Sequence, residues 1–328
     1  MMKYENFNEF FSNLNENNKE IISNWEKIRN KKKKANIITL VIALIIDIII
    51  VYMYNNGNFP LFTIYQSQFL LLFVLVIIFI IDTFILVISE IIFGSKDIRK
   101  FNEDYKEKVI NKLLENFIEE LDYVPLKELP SKIYDEAQYG GSYNHYNSDD
   151  WFEGKINGQK IVMADLLVEE ETEKEVKDAN GNETTETETE TVFNGLFGKI
   201  DLNKSILSNM CITMDDSFSF SKKQKIEMDS YEFEKVFDVY GDNEIIAMQL
   251  LTADVQEDIL ELYNKYKIDF NISIMQNKMY ILFDTDSMFE VFSMKKNPNE
   301  ILEKYFDIMK FIYKLVDKIT KTIDSTQI

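Results

Sequence analysis

Two aspartates, Asp47 and Asp82, stand inside otherwise apolar runs, residues 37–54 and 69–93, and neither run holds a lysine or arginine to neutralise them. As helices rising about 1.5 Å per residue, these runs cover roughly the 30 Å hydrocarbon core of a bilayer. Asp47 lies ten residues from Ile37, and Asp82 eleven residues from Phe93. Antiparallel spans would therefore carry both carboxyls about 15 Å deep, to matching positions near the midplane. An aspartate there costs roughly 2.5–3.5 kcal/mol on insertion scales, and an intramembrane acid is a functional hypothesis by default. Two adjacent ionised carboxylates in low dielectric do not both persist, so one or both hold a proton, or a cation sits between them. Two readings follow: a hydrogen-bonded pair that locks the hairpin or an oligomer, and an ion- or proton-binding site.

Other chemistry-bearing residues are sparse. His145 is the single histidine, so no triad or metal cluster can draw on more than one imidazole. Its neighbours Tyr143, Tyr146, Asp149 and Asp150 would make a polar pocket, and a hydrolase reading requires His145 beside Asp149 or Asp150 in a cleft. Cys211 is the single cysteine, within an apolar stretch, and reads as core. Asp215-Asp216 and the glutamates of 169–191 lack the Asp-x-Asp-x-Asp-Gly spacing of a calcium loop and read as a solvated acidic face. There is no phosphate-cradling glycine loop, Cys-x-x-Cys, Gly-x-Ser-x-Gly or nucleotide fingerprint. No catalytic, cofactor-binding or metal-ligating residue is assigned, and no cofactor is expected.

The elements that hold the two aspartates are set by flanking charge. Lys31, Lys32, Lys33 and Lys34 precede the first run, and Lys96, Arg99 and Lys100 follow the second, while the connector 55–68 carries no charge. Basic residues beside spans stay on the cytoplasmic side. The expectation is a multi-pass protein of the cell (inner/plasma) membrane, with N-terminus and C-terminal domain cytoplasmic. A secretory signal fits poorly, because the first run begins only at Ile37 and a second run follows. Residues 1–100 hold 11 Lys and Arg against 9 Asp and Glu, net +2; the 328-residue chain is −20, so residues 101–328 carry −22. Such acidity argues against nucleic acid as a partner and against lying flat on anionic lipid.

The organisation expected is a cytoplasmic amphipathic helix (1–36), spans 37–54 and 69–93 around an outside loop 55–68, a cytoplasmic helix (94–122) and a cytoplasmic domain (123–328). Before the lysines, Phe7, Phe10, Phe11, Leu14, Ile21, Ile22, Trp25 and Ile28 recur at helical spacing, interrupted at Asn18. Phe101, Tyr105, Val109, Ile110, Leu113, Leu114, Phe117, Ile118 and Leu121 repeat the pattern, and the two stripes are expected to pair antiparallel beyond the membrane. Residues 123–150 read as irregular. Asn157-Gly158-Gln159 between 151–156 and 160–168 is a hairpin signal, and Asn180-Gly181 turns a second, polar hairpin at 169–191. A turn centred there makes partner numbers sum to 361, so Val176 faces Thr185 and Val168 faces Phe193. Further strands are expected at 209–214, 233–240, 244–251, 269–275, 278–283 and 288–293. Helices are expected at 253–267, with Thr252 as N-cap, and at 298–322. The fold class is α+β: a two-helix transmembrane hairpin extended by cytoplasmic helices, then a mainly antiparallel sheet with packed helices.

The stretch Val192-Phe193-Asn194-Gly195-Leu196-Phe197-Gly198-Lys199-Ile200-Asp201-Leu202-Asn203-Lys204, joined by Tyr231-Glu232-Phe233-Glu234-Lys235-Val236-Phe237-Asp238-Val239-Tyr240-Gly241-Asp242, resembles the uncharacterised bacterial domain-of-unknown-function 3137 family. Leu250-Leu251-Thr252, residues 280–283 and Met288-Phe289-Glu290 fit the same pattern. The resemblance implies two N-terminal spans and a cytoplasmic C-terminal domain, with the Glu/Thr hairpin as an insertion, and it transfers no site residue.

Together these residues point to a membrane-anchored, cytoplasm-facing accessory or interaction protein. Its partners would be the lipid bilayer and a protein with a basic surface or a further copy of itself. The alternative is an ion- or proton-handling component using Asp47 and Asp82, and the third is the hydrolase.

Overall fold

A computed structural model describes residues 2–56, 75–76, 78–81, 83–85, 87, 95–177, 183–206, 208–214, 223–290 and 296–325. The chain forms two compact units, one of residues 1–14, 106–290 and 300–328, the other of residues 15–105 and 291–299.

The larger unit is α+β, built on one nine-stranded antiparallel sheet. Its strands are β1 (Glu119–Val124), β2 (His145–Ile156), β3 (Gln159–Lys177), β4 (Glu183–Asp201), β5 (Met210–Thr213), β6 (Gln224–Ile226), β7 (Asp238–Gly241), β8 (Phe270–Met275) and β9 (Lys278–Asp284). Their spatial order is β1-β2-β3-β4-β9-β8-β5-β7-β6. A sheet covered on both faces buries successive residues, and β5, β8 and β9 are buried almost throughout, Asn271 and Ser273 of β8 included. Tyr280 and Leu282 of β9 face a cluster with Leu129, Tyr134, Trp151 and Phe197. Phe283 faces the other way, where Phe270 and Phe311 lie with ring centroids 5.1 and 6.0 Å from it. Each such aromatic side chain, once buried, contributes about 1.5–3 kcal/mol.

Phe311 belongs to the long C-terminal helix Pro298–Ser325. Pro298 sits at its first position, and Asn297 accepts a hydrogen bond from the Asn299 amide, so the start is both pre-shaped and capped. The hairpin between β2 and β3 turns on Asn157 (φ 48°) and Gly158 (φ 78°), the pair of left-handed residues that a two-residue turn requires. Asn157 then docks on the C-terminal helix, donating to Asp317 and accepting from Tyr313.

Several expectations need correction. The first amphipathic stretch is not one helix broken at Asn18. A short helix, Phe7–Ser12, stacks Phe7 and Phe10 on Phe306. A new helix begins at Glu16, with the Asn15 side chain accepting from the Asn18 amide. The helix expected at 94–122 ends at Leu114, after a π-helical turn at Lys106–Ile110, and β1 starts at Glu119. Residues 123–150 are not irregular: the end of β1, a short helix Ser131–Asp135 and the first half of β2 fall there. Residues 244–251 are not a strand. Asn243 accepts from the amides of Ile245 and Ile246 and caps a helix, Glu244–Leu250. Likewise Ser230 caps a turn at Tyr231–Glu234, so the strand expected from 233 begins only at Asp238. Residues 288–290 form no strand, and 291–293 lie outside the described residues. The helix Ala253–Tyr266 forms as expected, but the Thr252 hydroxyl bonds Asp254 instead of capping it.

In the second unit, the helix Glu16–Asn55 is 40 residues long, about 60 Å. From Ile37 (64 % exposed) to Tyr52 (65 % exposed) its apolar side chains are largely uncovered. It is the one helix, among the described residues, long and apolar enough to cross a membrane. The helix Ser95–Tyr105 accompanies it, tied through Lys31 and Asp97. Described residues between 75 and 87 are helical, but most of the expected second span lies outside the described residues.

Candidate functional site

Asp47 lies on the exposed apolar stretch of the long helix and is itself partly buried. Its Oδ1 is shielded and has no hydrogen-bond partner. Asp82, its expected counterpart, lies outside the described residues.

His145 opens β2 at the exposed end of the sheet, its Nε2 2.5 Å from Glu171 Oε2 on β3. Asp149 and Asp150 follow four and five residues along, about 13 Å or more at strand rise. Their carboxylates are engaged elsewhere, so the arrangement the hydrolase reading requires is absent. Tyr143 donates to Asp135 and Tyr146 to the Leu129 carbonyl, away from any shared pocket with the imidazole. Cys211 is buried in β5, as its sequence context indicates, and burial pushes its thiol up to about 12.

What the structure does assemble around Asp149 and Asp150 is an ion cluster centred on Lys106. The lysine lies in the π-helical turn on the stripe shared with Val109, Ile110 and Leu113, all fully buried. Its Nζ is 2.6 Å from Asp150, 2.7 Å from Glu290 and 3.7 Å from Asp149. Successive strand residues normally face opposite sides of a sheet. Here β2 bulges between Asp149 and Phe152, with Asp150 in the left-handed region (φ 50°), and both carboxylates reach the same ammonium. Tyr123 of β1 donates to the second Asp150 oxygen at 2.6 Å. Asp165 of β3 stands directly across from Asp149. It accepts from Ser287 Oγ (2.9 Å) and the Met288 amide (2.8 Å), while its Oδ1 is buried with no partner.

Electrostatics follow from this packing. Burial alone would pull the Lys106 ammonium down, but Asp150 and then Glu290 outweigh it, and the lysine stays charged. Burial lifts Asp150 to about 6, against the opposing pull of Lys106 and Tyr123. Burial lifts Asp165 to about 8, reinforced by Asp149 and Asp150, so at neutral pH it is largely a neutral acid. Carboxylate oxygens of Asp149, Asp150 and Glu290 lie within 4.8 Å of one another, a spacing suited to a divalent cation. The Lys106 ammonium already takes the cation's place. A lysine held charged and shared among three acids is neither nucleophile nor base, so the cluster is a counter-ion hub that ties β1, β2 and the segment after β9 together. The sequence carried one signal for it: a lysine at position i of an otherwise apolar i+3, i+4, i+7 stripe.

A second candidate is a surface. Beyond Glu169, β3 and β4 continue as a two-stranded ribbon, to Lys177 and from Glu183. The expected Val168–Phe193 pairing holds, but Val176 faces Thr184, because a bulge after Val168 leaves Val192 unpaired and shifts the register by one. One ribbon face sets Glu169, Glu171, Glu173 and Glu175 against Thr191, Thr189, Thr187 and Thr185. On the other face Glu170 stands directly opposite Glu190, and Lys174 pairs with Glu188. Asn144 closes the β2 side at Glu171 with two side-chain hydrogen bonds to its backbone, imitating a strand.

A family profile described as protein of unknown function (DUF3137) matches residues 191–321. The motifs at 192–204 and 231–242 fall within that stretch, and β3 of the ribbon precedes it. No curated protein matches the chain. Among solved structures, the crystal structure of the mycobacterial trehalose monomycolate transport factor A is similar at 10 % identity and a TM-score of 0.33, covering 69 % of this chain and 97 % of its own.

Proposed function

We propose that this chain is a membrane-anchored accessory protein whose folded domain faces the cytoplasm and engages a protein partner with a basic surface. The observation that carries this reading is the uncovered apolar stretch of the helix Glu16–Asn55, immediately after Lys31, Lys32, Lys33 and Lys34. A helix of that length with exposed isoleucine and leucine along one continuous stretch is matched to lipid rather than water. Basic residues also follow the second apolar run, which supports a second span at 69–93 and a cytoplasmic location for everything after it. The spans would also be the contact between copies in a homo-oligomer.

Cysteine labelling tests the orientation. With Asn58→Cys or Tyr231→Cys in the full chain, a membrane-impermeant maleimide should label position 58 on intact cells and position 231 only after lysis. Labelling of 231 on intact cells overturns the reading.

A second reading, favoured by the unpartnered buried oxygen of Asp47, makes Asp47 and Asp82 an ion- or proton-binding pair. In proteoliposomes, Asp47→Asn with Asp82→Asn should leave passive proton and cation flux unchanged if the pair is structural. Loss of a wild-type flux in that variant selects the second reading.

A further inference from the structure

We propose that the outer edge of β4, from Thr185 to Thr191, accepts an extended segment of the partner as an added strand, with lysine or arginine at alternate positions. The inference rests on the interaction-protein reading and names its recognition surface. Among the described residues, β4 is paired on its ribbon stretch with β3 on one side only: its other neighbour in the sheet, β9, joins at Gly195, and no other described strand pairs with residues 185–191. A strand edge of this kind offers a row of backbone donors and acceptors to an incoming chain.

The side chains on that edge decide which chain it admits. Residues 185–191 alternate Thr-Glu-Thr-Glu-Thr-Glu-Thr, and Thr185 and the residues from Thr187 to Thr191 are exposed. An added antiparallel strand sets its side chains directly opposite these, about 5 Å away at Cβ. Alternate residues then meet Glu188 and Glu190 on one face and Thr187, Thr189 and Thr191 on the other. The complement is a strand that alternates a cation with a β-branched or hydroxyl residue. Glu170 and Glu190 are directly cross-strand and like-charged, a repulsion that a cation from such a strand relieves. Those acids equally repel the ribbon of another copy, so edge-to-edge pairing between identical chains is disfavoured while a basic strand is attracted.

The test uses the full chain in nonionic detergent and three fluorescein-labelled decapeptides: alternating Lys-Thr, five lysines followed by five threonines, and alternating Glu-Thr. The alternating Lys-Thr peptide should bind, weaken as salt is raised, and slow amide exchange at 185–191. The Glu-Thr peptide should not bind. Glu188→Gln with Glu190→Gln should weaken binding about tenfold, the weight of two exposed cross-strand ion pairs. Circular dichroism and thermal midpoint of that variant should match the wild type, since both side chains lie in water. Equal binding of the blocked and alternating peptides, binding without protection at 185–191, or no loss in the double variant each overturns the edge. So does the absence of any peptide binding. Those outcomes leave the cysteine-labelling result untouched, so failure of the edge and failure of the anchoring reading are separable.

Discussion

Asp165 shows what one buried carboxyl does to the stability of the whole sheet. Its folded-state pKa of about 8 stands well above the value near 4 of an unfolded aspartate. A raised pKa means the folded state holds the proton more tightly, so the stability this supplies is complete below about pH 4 and is lost as pH rises to 8. Asp150, lifted to about 6, acts in the same direction over a narrower window. Asparagine at 165 keeps an acceptor for Ser287 and Met288 and has no charge to acquire. Asp165→Asn should therefore flatten the fall in urea midpoint between pH 5 and 9, followed by tryptophan fluorescence. The difference should be largest at pH 9, with an upper limit on the order of 5 kcal/mol. A parallel pair of curves would show that Asp165 titrates no differently in the folded chain.

At the scale of elements, Gly195 is the most constrained position. It lies where the ribbon merges into the sheet, at φ +150°, and a Cβ there would meet the Phe283 carbonyl at 2.1 Å and the Thr285 amide at 2.6 Å. Both obstacles are backbone, so neither can rotate away. Gly195→Ala should cost about 3 kcal/mol or more, seen as a large drop in thermal midpoint, because β4 must separate from β9 to make room. Elements also show how far sequence reading reaches. Asn157-Gly158 announced its hairpin because the turn demands those residue types and little else supplies them. Residues 244–251 misled because a short apolar run has no period of its own, and the decision rests on the Asn243 side chain reaching two amides. The shift at Val192 left no mark, since a bulge moves register without changing composition. The Lys106 hub escaped because its members are separated by up to 184 positions, from 106 to 290, and only the fold brings them together. Even so, the lysine on an apolar stripe was in plain view.

Across the whole molecule, charge is segregated along the chain: residues 1–100 are net +2 and residues 101–328 net −22. Lysines gather where the long helix becomes apolar, while residues 169–191 of the ribbon hold ten acids against two lysines. On the reading proposed above, that polarity would keep the folded domain off an anionic bilayer and off nucleic acid, and leave its acids to proteins that carry the opposite charge. Removing residues 170–190 and joining the ends with a short Gly-Asn turn should leave the thermal midpoint within about 3 °C. The outer ribbon adds almost nothing to the core, and loop changes of this kind cost little. A collapse of the fold on that deletion would mean the ribbon is part of the scaffold.

The order of strands also has a consequence in time. The strands at the heart of the sheet, β8 and β9, are the last to be made, and β4 waits through more than 75 residues of synthesis before Lys278 arrives beside Asp201. Until then the growing polypeptide exposes an apolar seam from Leu196 to Ile200 to everything nearby. By that point residues 37–54 have long since left the ribosome. The apolar helix is therefore free to insert before the sheet is complete, while the seam stays open to aggregation until its centre is delivered.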